Sequence, residues 1–354
     1  MKKIAYVHVG AAKAGSTSIQ VLLRDRETDI ATAGYHVPKS GRNPSGAHHL
    51  LFQSVNNMRS LPPRHWDNRG NVIEAFRAEL SGLEDRPVVL STEIISNVFM
   101  TRKTKSRHKW KLIDGLADIL VQQGYAPVFV IVVRDALACI NSRYSQLAKS
   151  FYTGLSFSDW LANWFDTRMP DLQGWTDYCE ARDYGLRAIP YNRQNRGGGL
   201  IPTFLETVGL PKSLASETRA NVNVGAAAIM ASLTIQNRLG FSSRPELQSP
   251  DLMHRLRDVL LAAEQQAGNI GGRYWAPTEQ QVLQIREVYQ DDLDRFAQIH
   301  WGMNADTALE EDYAGRQSIQ TVEDLDPALR QEHDRIVDIA WPAIQQTISE
   351  FQAS

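Results

Sequence analysis

Ile4-Ala-Tyr-Val-His-Val9 runs directly into Gly10-Ala-Ala-Lys13-Ala14-Gly15-Ser16-Thr17-Ser18, and from Ser16 onward the apolar residues recur at helical spacing. A short apolar run, a loop of small residues and a helix start make a strand-loop-helix unit. Such a loop leaves backbone N–H groups free beside the positive end of the helix dipole, an arrangement that binds phosphate. The order is not that of the common nucleotide loop, in which lysine and then serine or threonine follow the last glycine. Here Ser16 follows Gly15, and Lys13 sits inside the loop. Working outward, three further β-rich runs at 87–91, 127–133 and 186–191 join the run at 4–9, separated by long helical patterns, which is the rhythm of a parallel α/β sheet. The run 128–133 is apolar on successive residues, as a central strand covered on both faces requires. The periodicity predicts crossover helices over 16–24, 71–83, 109–123 and 137–149.

The second half turns mostly helical, with helices expected at 157–165, 200–208, 225–238, 249–266, 278–300 and 327–351. The expected fold is α/β: a P-loop-like parallel sheet flanked by helices, with a mostly helical C-terminal half packed on it. Residues 1–302 are read as one domain, and 303–354 as an acidic connector and a last helix. Residues 34–69, rich in Pro, Gly, Ser, Asn and His, are expected to form an irregular loop, a candidate lid over a substrate. The chain has 354 residues, 43% hydrophobic and 22% charged, which is a globular composition. Its 38 Lys and Arg against 40 Asp and Glu give a net charge of −2, so no general attraction to nucleic acid or an anionic membrane is expected. Any anion site must be local. Two cysteines, Cys139 and Cys179, make neither a disulfide framework nor a metal cluster. The first apolar run is too short for a signal peptide and no run approaches the length of a spanning helix, so a cytoplasmic chain without a transmembrane segment is expected.

The motif Lys-x-Gly-Ser-Thr-Ser after a strand ending His-Val-Gly resembles the 5′-phosphosulfate loop of the sulfotransferases that use 3′-phosphoadenosine 5′-phosphosulfate (PAPS). A second motif strengthens the likeness: Arg134 ends the buried run 128–133, and Ser142 follows eight residues later, the spacing with which that family grips the 3′-phosphate. An arginine fork suits a phosphate physically as well. The resemblance is closest to the bacterial branch and covers roughly residues 1–301. It implies that Lys13 steadies charge on the leaving phosphate oxygen, that Ala14, Gly15, Ser16, Thr17 and Ser18 surround the 5′-phosphate, and that Arg134 and Ser142 hold the 3′-phosphate. Tyr191, at the end of the run 186–191, is the implied adenine contact. PAPS would be the donor cosubstrate, with no metal required.

Sulfuryl transfer also needs a base for the acceptor proton. Glu93 follows the second strand at the mouth of the sheet, where open α/β folds bind ligands, and is the first candidate. His48 and His49 are the alternative, since histidine has suitable intrinsic acidity. The acceptor class stays open among carbohydrates, lipid headgroups and small metabolites. A P-loop kinase or NTPase, and a nucleotide-binding module without catalysis, are the competing functions. The basic residues Lys103, Lys105, Arg107, Lys109 and Lys111 are read as a solvated helix face, with an acidic acceptor as the alternative partner, and Trp160, Trp164 and Trp175 as core in preference to a sugar-stacking surface.

Overall fold

The structure, a computed structural model, describes residues 3–10, 14–56, 69–100, 106–165, 171–215, 225–268, 271–310, 313 and 315–353. Two compact units share the chain: the first takes Met1–Ala136, Thr167–Ala220 and Val288–Asp312, the second Leu137–Asp166, Asn221–Glu287 and Tyr313–Ser354. This division differs from the expected segments 1–302 and 303–354. Its physical origin is the core: Leu293, Phe296, Ala305 and Leu309 are buried with the sheet, whereas Ile336, Val337, Ala340 and Ile344 are buried with the helices of the second unit.

The first unit is built on strands β1 (Lys3–His8), β2 (Val88–Ser91), β3 (Tyr125–Val133) and β4 (Gly185–Pro190), all parallel, in the order β2-β1-β3-β4. In chain order the helices are α1 (Ser16–Asp25), α2 (Glu27–Thr32), α3 (His49–Val55), α4 (Arg69–Ser81), α5 (Ser106–Gln122), α6 (Ala136–Lys149), α7 (Phe157–Phe165), α8 (Leu172–Arg182), α9 (Leu200–Val208), α10 (Ala226–Arg238), α11 (Pro250–Ala267), α12 (Glu279–Trp301), α13 (Ala305–Leu309) and α14 (Pro327–Ala353). Alternate strand residues divide between two cores. Ala5, Val7, Leu90, Phe129 and Ile131 pack with α3, α4, α5 and α8, while Tyr6, Val89, Val130, Val132 and Ile189 pack with α1 and α9. The run Phe129–Val133 is therefore buried from both sides, at roughly 1.5–3 kcal/mol for each fully buried large side chain.

The strand order creates the functional end of the sheet. After β1 the chain moves to β2 on one side, then crosses to β3 on the other. The C-terminal ends of β1 and β3 thus flank a topological switch point, where α/β sheets leave a ligand crevice.

Residues 34–48 are irregular, as expected, apart from one bridge at His36, whereas 49–55 form α3. His36 bridges to Val88 in parallel register, donating its N–H to Pro87 O at 2.9 Å and accepting from Val89 N at 2.9 Å, which extends the sheet edge. The Glu79 carboxylate of α4 then collects Lys39 N at 2.8 Å, Ser40 N at 3.0 Å, Ser40 Oγ at 2.7 Å and His36 Nε2 at 2.8 Å. Composition alone does not show this anchor, because its carboxylate comes from a helix far along the chain. Burial by itself would raise the Glu79 pKa, but the bonds from His36, Ser40 and the backbone outweigh it and draw it down to about 2. A depressed carboxylate stabilises the fold above its unfolded pKa and loses that contribution as pH falls toward 2. Glu79→Gln is expected to destabilise the chain by about 2–3 kcal/mol at pH 7, the scale of hydrogen bonds to a charged group, and by progressively less between pH 4.5 and 2. Urea unfolding across that range measures it; a difference that does not shrink on acidification would reject the anchor as electrostatic.

The second unit is helical. The alanine-rich face of α10 packs closely on α11 and α14, with Ala227, Ala228, Ala231, Leu256, Leu260, Ile336 and Ile344 buried together. Several of its buried polar groups pair locally: Ser232 Oγ and Gln236 Nε2 donate to Ala148 O at 2.7 and 2.9 Å, and Glu264 accepts from Gly225 N at 2.8 Å. Trp160 lies buried in this unit and Trp175 in the first, in line with their reading as core. Lys103 and Lys105 lie outside the described residues, and so do the side chains of Arg107, Lys109 and Trp164. Among the described residues, no helix is long and apolar enough to cross a membrane.

Candidate functional site

Gly15 is the N-cap of α1 and has φ +83°, a left-handed conformation that glycine adopts without steric cost. No side chain caps this helix and no acidic residue stands in its first turn, so its N–H groups face the crevice without a competing carboxylate. Ser16 is 4% exposed and its Oγ has no hydrogen-bond partner. Thr17 is exposed and Ser18 partly so. The methyl group of Ala14 is buried in the core, which leaves only its backbone for a ligand. Lys13 lies outside the described residues.

Arg134 leaves the end of β3, and Tyr191 leaves the end of β4 with its N–H bonded to Val133 O at 2.7 Å. That bond sets the two strand ends level. The Arg134 guanidinium carbon lies 5.5 Å from the centre of the Tyr191 ring, a cation–π arrangement. The same ring also comes near Gly15: a Cβ built on that residue would lie 3.6 Å from Tyr191 Cε2 and 2.3 Å from Leu200 Cδ2. Gly15, Tyr191 and Arg134 therefore converge, and Leu200, the first residue of α9, closes the back of the loop. Ser142 lies on α6 in the second unit and is partly buried.

The candidate bases separate sharply. Ser91 N donates to His48 Nδ1 at 3.2 Å, so the proton sits on Nε2, which donates to Pro38 O at 2.7 Å. His48 N also donates to Ser91 O at 2.7 Å. With both ring nitrogens engaged and no exposed surface, His48 fastens residues 38–48 to the end of β2, which corrects its candidacy as a base. Glu93 and His49 remain. Their Oε1 and Nε2 atoms are 3.9 Å apart, Glu93 has 39% of its side chain exposed, and His49 Nδ1 is 3.4 Å from Thr92 Oγ1. Burial lowers the His49 pKa, and the Glu93 carboxylate partly opposes it. A carboxylate beside a neutral imidazole can accept a proton and orient the group that gave it up. Thr92 N donates to His8 O at 2.9 Å, so this pair stands beside the end of β1.

Sequence reasoning attached no role to His8, which is 0% exposed with Nδ1 2.8 Å from Ser91 Oγ. The signal that could have found it was a polar residue on the even-numbered face of a strand whose other residues are core, with a serine at the end of the next strand. Burial pushes the His8 pKa down to about 3 and that of His48 to about 4. Both stay neutral in the folded chain while their unfolded counterparts titrate near 6.5, so their contribution is complete above that pH and is lost as pH falls. Between about pH 6 and 5 the two together should add roughly 2–2.5 kcal/mol per pH unit to the slope of unfolding free energy. His48→Gln is expected to remove about half of that addition; an unchanged slope would show that His48 titrates normally in the fold.

Among the described residues no group of three or more His, Cys, Asp or Glu side chains could hold a metal ion. No family model, curated protein or solved structure matches the chain.

Proposed function

We propose that the chain transfers a sulfuryl group from PAPS to a hydroxyl or amine of a carbohydrate, lipid headgroup or small metabolite. The convergence of Gly15, Tyr191 and Arg134 at the switch point carries this reading, because it brings the start of the 5′ motif and the arginine of the 3′ motif around one aromatic ring. A helix N-terminus suits one phosphate and an arginine fork another, and a flat ring between them suits the nucleoside that joins the two.

In the reaction the acceptor oxygen or nitrogen attacks sulfur, and the bond from sulfur to the bridging phosphate oxygen breaks in line. The bridging oxygen leaves with 3′-phosphoadenosine 5′-phosphate, and the acceptor proton passes to Glu93. Developing negative charge on the leaving oxygen falls where the uncapped N–H groups of α1 point. His49, beside Glu93, orients the carboxylate.

Calorimetry on the full chain with 3′-phosphoadenosine 5′-phosphate, AMP and Mg-ATP tests the reading. The bisphosphate is expected to bind far more tightly than AMP and without Mg²⁺. At 100-fold excess over its Kd it should stabilise the fold by about 2.7 kcal/mol. Preference for Mg-ATP would replace the transferase with a kinase, and transfer of label from PAPS to an acceptor panel would then be absent.

A further inference from the structure

Two buried polar atoms lie against Gly10, where β1 leads toward α1. His8 Nε2 has no hydrogen-bond partner, and neither has Ser16 Oγ. A Cβ built on Gly10 would stand 3.1 Å from the first and 2.2 Å from the second. Gly10, with φ +26°, lacks the Cβ that would clash with both, so the two atoms close against its backbone. The His8 ring is held by Phe204 of α9, edge-on with centroids 5.6 Å apart, and by Ser91 Oγ at Nδ1. An unpaired buried donor is costly unless a ligand supplies its acceptor. The positive end of α1, with no capping side chain and no acidic residue in its first turn, favours an acceptor that is negatively charged.

We propose that His8 Nε2–H and Ser16 Oγ–H form a two-donor floor that takes one oxygen of a tetrahedral phosphate- or sulfate-type anion, with Ser91 fixing the histidine tautomer by donating its hydroxyl proton to Nδ1. Identifying that anion as the 5′-phosphate of the donor rests on the sulfotransferase reading; the floor itself does not. Burial keeps the ring neutral. The histidine is then a donor across the whole working pH range and adds no charge that a proton could switch off.

The test uses the full chain with ¹⁵N-labelled histidine, and inorganic phosphate and 3′-phosphoadenosine 5′-phosphate as probes. His8 is expected to show the Nε2–H tautomer with no titration from pH 5 to 8, and its Nε2 signal should move on saturation with either probe. His8→Asn keeps a polar atom near Ser91 and loses the outer donor, so bisphosphate affinity should fall roughly tenfold or more. His8→Gln, which reaches the Nε2 position, should stay within about threefold of wild type. Ser91→Ala guards against loss of fold in the histidine variants: the ring should become a mixture of tautomers and affinity should fall by a few-fold. Bisphosphate binding without any response of His8, or an Nδ1–H tautomer in the wild type, overturns the proposal and leaves the transferase reading standing. A His8 response to phosphate, with the bisphosphate binding no more tightly than phosphate, supports the floor and removes the transferase reading. No response to either probe overturns the floor.

Discussion

Turnover in Glu93→Gln is expected to fall by roughly 10²–10⁴, the usual span for loss of a general base, with the Kd for 3′-phosphoadenosine 5′-phosphate within about twofold of wild type. The substitution keeps the shape of the side chain and removes its basicity. The side chain is 39% exposed, and the neutral imidazole of His49 stands 3.9 Å from it, so the substitution leaves the rest of the described site in place. His49→Asn separates the two candidates. A carboxylate that is merely oriented by His49 should lose about tenfold in turnover when the imidazole goes, because the base itself remains. Steady-state kinetics with labelled PAPS on both variants decides between them. If Glu93→Gln turns over at the wild-type rate while His49→Asn does not, the base is His49.

Arg134→Ala is expected to weaken the bisphosphate by roughly 10- to 150-fold and AMP hardly at all, so the preference between the two nucleotides should nearly vanish. A hydrogen bond to a charged group contributes about 1.5–3 kcal/mol, and every 1.4 kcal/mol is a factor of ten in Kd. Arg134 also faces the ring of Tyr191, so its removal frees that ring. Arg134→Lys controls for this: a point charge keeps part of the attraction but not the planar fork, and should recover affinity only in part. Calorimetry with both nucleotides on wild type and the two variants measures the effect. An equal loss for AMP and the bisphosphate would place Arg134 away from the 3′ end.

The sheet and its helices were largely legible because periodicity is a local property. The runs at 4–9, 87–91, 127–133 and 186–191 correspond to β1 to β4, and the helices expected at 157–165 and 200–208 coincide with α7 and α9. Less visible were α2, α3, α8 and α13. Three of these have fewer than eight residues, too few for a helical period to show. The fourth, α8, is amphipathic only weakly, because its buried face mixes the polar Thr176 with Leu172, Trp175, Tyr178 and Cys179. The site divided in the same way. The loop around Gly15 and the Arg134–Ser142 spacing could be read along the chain, whereas nothing local distinguishes His48 from His49. His48 is the N-cap of α3, with non-helical dihedrals, and His49 is its first residue, so the two rings reach different partners. One ring enters the junction between Pro38 and Ser91, and the other reaches Thr92 and Glu93.

What the sequence by itself determined is which segments are strands, which are helices and where a loop of small residues meets a helix start, since each follows from side-chain spacing and backbone preference within a few residues. Only the tertiary structure decided that β1 lies between β2 and β3, that Tyr191 meets both Gly15 and Arg134, that Glu79 anchors residues 36–40, and that His8 lies against Ser91 beneath Gly10. A strand's pattern states which of its faces is buried but not which strand lies alongside it. Neighbours in a parallel sheet are chosen by crossover connections and by the cores on the two faces, and those exist only once the whole unit has packed.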